Sequence, residues 1–85
     1  MTADVRYDGP QGAPLFLFAH GAGAGMDAPF METITSLLVA RGIRVGRFEF
    51  PYMIARREGR KAGAPDRQPV LEAAWRDVIA AAAGQ

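Results

Sequence analysis

Leu15-Phe16-Leu17-Phe18-Ala19 is an apolar run that passes directly into His20-Gly21-Ala22-Gly23-Ala24-Gly25-Met26-Asp27. A continuously apolar strand is one covered on both faces, as in a parallel sheet. Glycines at its carboxyl end let backbone N–H groups turn toward a ligand with no side chain in the way. Residues 28–41 then read as a helix, with Pro29 in its first turn and Asp27 just ahead as the expected cap. The positive end of that helix dipole would favour negative or developing negative charge at the turn. The corner is a candidate anion cradle. The chain holds one serine, one histidine and no cysteine, so no obvious nucleophile accompanies it.

The rest of the chain alternates strand and helix. Val5-Arg6-Tyr7 reads as a short edge strand, and residues 8–14 carry turn chemistry. In the first helix Phe30, Ile34, Leu37, Leu38 and the stem of Arg41 follow the spacing of one apolar face. Gly42 stands where a left-handed residue ends a helix. Residues 43–50 read as a second strand that Pro51 terminates. A last helix from Pro69 presents Leu71, Ala74, Trp75, Val78, Ile79 and Ala82 on one side. Residues 55–68 hold Arg56, Arg57, Arg60, Lys61 and Arg67 against Glu58 and Asp66, broken by glycine and proline, and read as an exposed basic loop. The expected class is α/β, a partial parallel sheet in β-α-β-α order joined by a right-handed crossover.

Composition narrows the function classes. Residues 1–85 form one small domain or part of a larger one, and 49% hydrophobic content excludes disorder throughout. A net charge of +1 points to neither nucleic acid nor an anionic membrane as partner. The basic loop lacks the interleaved aromatics of single-strand binders and reads as solvated surface. No apolar stretch approaches the roughly 20 residues that span a bilayer. No basic n-region precedes an apolar core, so a cytoplasmic location is the expectation. Absence of cysteine leaves no disulfide or thiolate metal site, and neither metal nor cofactor is expected.

Three chemistries compete for the glycine turn. A dinucleotide site wants Gly-x-Gly-x-x-Gly, with an acid about 20 residues on. Gly21 and Gly23 fit, but Met26 takes the third place, and Glu49 lies further away than that pattern prefers. A Walker loop fails because no Gly-Lys-Ser or Gly-Lys-Thr follows. An oxyanion hole needs two backbone N–H groups aimed at one point, and His-Gly after an apolar strand fits it best. Gly21, Ala22 and Gly23 are therefore the candidate oxyanion loop, with His20, Met26 and Tyr52 on the substrate side.

Each of these residues also has a plainer reading. His20 reads chiefly as structural, its ring bonded to nearby backbone. Ser36, mid-helix with no base one turn away, does not read as an activated nucleophile. Phe50-Pro51-Tyr52 would line a substrate cleft or close the sheet edge.

The blocks from His20 to Asp27, Pro29-Phe30-Met31, and Arg47-Phe48-Glu49-Phe50-Pro51-Tyr52-Met53 together resemble the small α/β-hydrolase-like family that includes the Tex30 and KANSL3-type proteins and many bacterial hydrolases. The resemblance runs from Leu15 through Pro65-Asp66-Arg67 and the tryptophan helix. It implies a three-layer domain more than twice this length. The nucleophile serine would lie on a Gly-x-Ser-x-Gly-like elbow, after the strand that follows the tryptophan helix. The acid and the histidine would come later still. None of the three has a counterpart here, so the expectation is the N-terminal portion of a serine hydrolase acting on an ester-like small molecule, inactive alone. The alternatives are a non-catalytic interaction module on the same scaffold and a nucleotide-binding half-domain. An open sheet edge also suggests a homodimer.

Overall fold

A computed structural model describes residues 4–21, 24–59 and 66–85. The elements are β1 (Arg6–Asp8), β2 (Leu15–Ala19), α1 (Pro29–Ala40), β3 (Arg44–Phe48), α2 (Pro51–Arg57) and α3 (Gln68–Ala81). The strands form one sheet in the order β1-β3-β2. β2 runs parallel to β3, with Leu15 opposite Arg44 and Ala19 opposite Phe48. β1 pairs antiparallel with β3, Arg6 opposite Arg47 and Asp8 opposite Val45. The sheet is therefore mixed rather than wholly parallel. β1 has only a tight turn between it and β2, too short for a crossover.

All five residues of β3 are buried, as a central strand requires. Alternation puts Val45 and Arg47 on one face and Arg44, Gly46 and Phe48 on the other. α1 covers the first face with Met31 and Thr35. α3 covers the second, where Trp75 meets the Phe48 ring edge-on at 4.7 Å between centroids. Gly46 is needed at this crossing, because a Cβ there would lie 3.1 Å from Leu17, Tyr7 and Val5.

The face of α1 is rotated from the expected one, of which Ile34 and Leu38 remain half-buried. Phe30 and Leu37 are exposed, while Met31 and Thr35 are buried. α1 is apolar over more than half its circumference, so two stripes satisfy helical spacing, and the sheet selects the one beside Val45. Its end follows expectation. Gly42 has φ +80°, and the N–H groups of Gly42 and Ile43 donate to the carbonyls of Val39 and Leu38 at 3.0 and 3.1 Å. That double bond is a Schellman closure. On α3, Leu71, Ala74, Trp75, Val78 and Ala82 face inward as expected, but Ile79 is exposed at the margin of the stripe.

Two further differences concern the second half. β3 ends at Phe48, and Pro51 opens a helix rather than merely stopping a strand. Proline suits that first position because its missing N–H would be unpartnered there anyway. The expected loop over residues 55–68 is thus helical as far as Arg57 and helical again at Gln68, while residues 60–65 lie outside the described set. Asp66 accepts the Tyr52 N–H at 2.8 Å. It thereby satisfies one of the free donors at the start of α2 from fourteen residues away in sequence. Among the described residues no helix is long and apolar enough to cross a membrane.

Candidate functional site

The carboxyl ends of β2 and β3 lie side by side, since Ala19 is opposite Phe48. His20 and Gly21 leave one strand, and Glu49 and Phe50 leave the other. Ligand crevices in open α/β sheets form at this end. The site is therefore assembled from two segments almost thirty residues apart.

His20 is 6% exposed and both its ring nitrogens are engaged. The Phe50 N–H donates to Nε2 at 3.0 Å, so Nε2 carries no hydrogen and Nδ1 donates to the Gly21 carbonyl at 2.5 Å. The ring packs edge-on against Phe50 and Tyr52 at 5.2 and 5.3 Å. A lone pair already filled by a backbone N–H is not a free base. The structural reading of His20 thus accounts for both nitrogens: the ring ties the start of the glycine turn to the segment after β3.

The far end of the turn is held by charge. Glu49, whose side chain is 4% exposed, accepts the Met26 N–H at 3.0 Å. Arg47 donates to the Met26 carbonyl, also at 3.0 Å. Both backbone groups of Met26 are thus occupied by side chains of the β3 segment. Arg57 on α2 grips Glu49 side-on, through Nε at 2.9 Å and Nη2 at 2.5 Å. It also reaches Asp27 at 3.1 and 3.3 Å. Asp27 is accordingly not the cap of α1. The N-cap is Ala28, with no side-chain cap bond, because the Asp27 carboxylate is drawn to the guanidinium instead.

The Arg57 hydrogen bond is the main cause holding the Glu49 carboxyl below its ordinary 4.5, against burial, with the Met26 N–H adding to it. The same guanidinium lowers Asp27 below its ordinary 3.8. Glu49 and Asp27 in turn raise Arg57. Where a carboxyl is depressed in the folded state, the unfolded chain binds more protons as acid is added, so folding weakens. The expected result is a melting temperature that holds above pH 4.5 and falls below it. In Glu49→Gln the Tm should be lower at neutral pH and its acid fall shallower. Thermal melts across that range check this, and parallel curves would refute it.

Of the candidate oxyanion residues, Gly21 is exposed at the exit of β2, while Ala22 and Gly23 lie outside the described residues. Tyr52 is buried against His20 and Phe50 packs on the same ring, while Pro51 is exposed. Met26 lines a cleft of about 200 Å³ with Asp4, Glu49, Ile54, Arg57 and Glu58. Ser36 is on the exposed side of α1. Sequence reasoning weighed Glu49 only as a ribose acid and passed over Arg57 and Arg47. The available signal was a single acid set between Phe48 and Phe50, and an arginine inside a buried strand.

No curated protein and no solved structure gives a match. A family model described as an alpha/beta hydrolase domain matches residues 12–85, from the turn before β2 through the end of α3. The chain belongs to the alpha/beta hydrolase domain family.

Proposed function

We propose that this chain supplies the oxyanion side of an acyl hydrolase of the serine type, within the Tex30- and KANSL3-like branch of the family. The observation that carries the reading is the His20-pinned glycine turn at the joined carboxyl ends of parallel β2 and β3. In such a reaction a serine attacks an ester-like carbonyl. A histidine takes the serine proton and returns it to the leaving group, and water then releases the acid. Backbone N–H groups at Gly21, Ala22 and Gly23 would hold the carbonyl oxygen as it gains charge, and losing one such donor costs about a hundredfold or more in rate. Neither the exposed Ser36 nor the doubly bonded His20 supplies the nucleophile or base, so both come from outside these 85 residues.

A phosphate ligand suits this corner less well than a neutral acyl group. The Met26 N–H, which a pyrophosphate would want, is already filled by the chain's own carboxylate. Both guanidiniums beside it, Arg57 and Arg47, are already paired with the chain's own carboxylates. The test is an amide NMR titration of the ¹⁵N-labelled chain with dimethyl phosphate, a monoanionic mimic of the tetrahedral intermediate. Saturable shifts centred on Gly21, with ATP no better a ligand, support the reading. A flat titration, or tighter binding of ATP, overturns it. Fluorophosphonate should leave Ser36 unlabelled.

The interaction-module reading has its own observation. β2 has no strand on its outer side among the described residues, and Phe16 and Phe30 are exposed beside that edge, Phe30 by 67%. Unprotected edges pair with other chains. On this reading sedimentation gives a dimer that Phe16→Lys converts to monomer, and a wild-type monomer at all concentrations refutes it.

A further inference from the structure

Glu49 and Arg57 do more than add an ion pair to the surface. The carboxylate is almost wholly buried while the guanidinium outside it is half exposed, so the arginine works as a cover that keeps a buried acid charged and aimed. Its two parallel bonds to Glu49 fix the plane of the carboxylate, as a side-on pair does. Oε2 of that carboxylate then takes the Met26 N–H. The backbone has been shaped around this arrangement. A Cβ on Gly25 would lie 2.6 Å from both Arg57 Nη2 and Glu49 Oε2, so no larger residue fits without parting the pair. Met26 and Asp27, the next two residues, bond to Glu49 and Arg57 respectively. Three consecutive positions of the turn are thus matched to one pair that arrives from β3 and α2.

We propose that Glu49 and Arg57 are positioning residues that latch the carboxyl-terminal end of the glycine turn at Gly25, Met26 and Asp27 and so set the direction of the Met26 amide. The functional meaning of the latch rests on reading the turn as an oxyanion loop; its existence does not. His20 pins the amino-terminal end by a separate bond to Phe50. The turn is therefore held at both ends by the segment leaving β3. Removing the latch leaves the His20 end and the Arg47 bond to the Met26 carbonyl in place and frees the Met26 N–H.

The experiment compares amide hydrogen exchange and dimethyl phosphate binding in wild type, Glu49→Gln, Arg57→Met, Arg57→Lys and the Glu49→Gln/Arg57→Met double variant. Glutamine can still accept the Met26 N–H but loses the charge-assisted hold. The expected result is Met26 exchange faster by about tenfold or more in Glu49→Gln and Arg57→Met, as for a lost bond to a charged group. Val45 and Phe48 amides should exchange as before. The double variant should be no faster than the worse single one, because the arginine acts through the carboxylate. Arg57→Lys should restore part of the protection, keeping the charge without the two-pronged geometry. Dimethyl phosphate should bind less tightly in the double variant, which removes one charge of each sign and so reports the direction of the amides rather than the net charge. Unchanged Met26 exchange, or an equal rise at all amides, overturns the latch. If wild-type amides ignore dimethyl phosphate while Met26 exchange behaves as stated, the oxyanion reading falls and the latch stands.

Discussion

Neutralising Asp8 and Glu32 together, as Asn and Gln, lowers the unfolding free energy by about 3 kcal/mol or more, whereas Arg47→Met costs less than half as much. The asymmetry follows from which partner is buried. Arg47 is 1% exposed in the central strand, and its partners Asp8 and Glu32 are 36% and 46% exposed, at 2.9 and 3.0 Å. Burial works to lower the arginine's pKa, but the hydrogen bonds to Glu32 and Asp8 outweigh it and raise the value.

Without the two acids a charged guanidinium stays buried. It keeps the Met26 carbonyl as a partner, while its Nε is already without one. Without the arginine, the acids return to water at small cost. Methionine fills much of the volume of the stem, and the main loss is one bond to the Met26 carbonyl, worth about 1 kcal/mol. For a domain of this size a loss near 3 kcal/mol is a large share of a total of roughly 5–10 kcal/mol. Urea unfolding at constant slope measures both variants. If Arg47→Met proves the more damaging, the pair stabilises by Coulomb attraction and the burial explanation is wrong.

Gly9→Ala destabilises by about 3 kcal/mol, the sum of backbone strain and overpacking, while Gly12→Ala costs about 1 kcal/mol from strain alone. Both glycines have positive φ, +98° and +82°. They differ in what surrounds them. A Cβ on Gly9 would meet the Ile43 carbonyl oxygen at 2.8 Å and the Arg44 Cα at 3.1 Å, whereas one on Gly12 meets nothing within 4 Å. The obstructing atoms are backbone at the entry to the central strand and cannot swing aside. Arg44 also donates to the Gly9 carbonyl at 2.6 Å, so any shift of the turn breaks a bond to a buried arginine. Paired denaturation curves decide the matter. Equal losses at the two positions would mean that conformation alone sets the cost and that the close approach to β3 is relieved without penalty.

Much of the frame was legible in the sequence because it rests on local chemistry. The run Leu15–Ala19 is β2, Pro29 opens α1, Gly42 closes it, and Leu71, Trp75 and Val78 face inward from α3. Each of these follows from spacing or from a residue whose backbone has few choices. The position of the candidate site was legible for the same reason, since glycines after an apolar strand announce a turn at the sheet's carboxyl end, although β2 itself is a half-buried edge strand. α2 was missed because Arg56, Arg57 and Gly59 look like loop composition. The helix is specified instead by Pro51 at its start and by Asp66, which reaches Tyr52 from beyond it.

Local chemistry in the sequence is enough for the order of β1, β2, α1, β3 and α3, without α2, and for a glycine-rich segment after β2. The direction of β1, the stripe of α1 that meets the sheet and the partners of the charges follow instead from packing across the fold. Arg47, Glu49, Arg57 and Asp27 are scattered over thirty positions and carry no shared period. Their pairing is a property of distance across the fold, where burial makes an unpartnered charge costly. That cost binds the buried Arg47 and Glu49 to their partners, while the half-exposed Asp27 leaves the helix cap for the charge of Arg57 beside it.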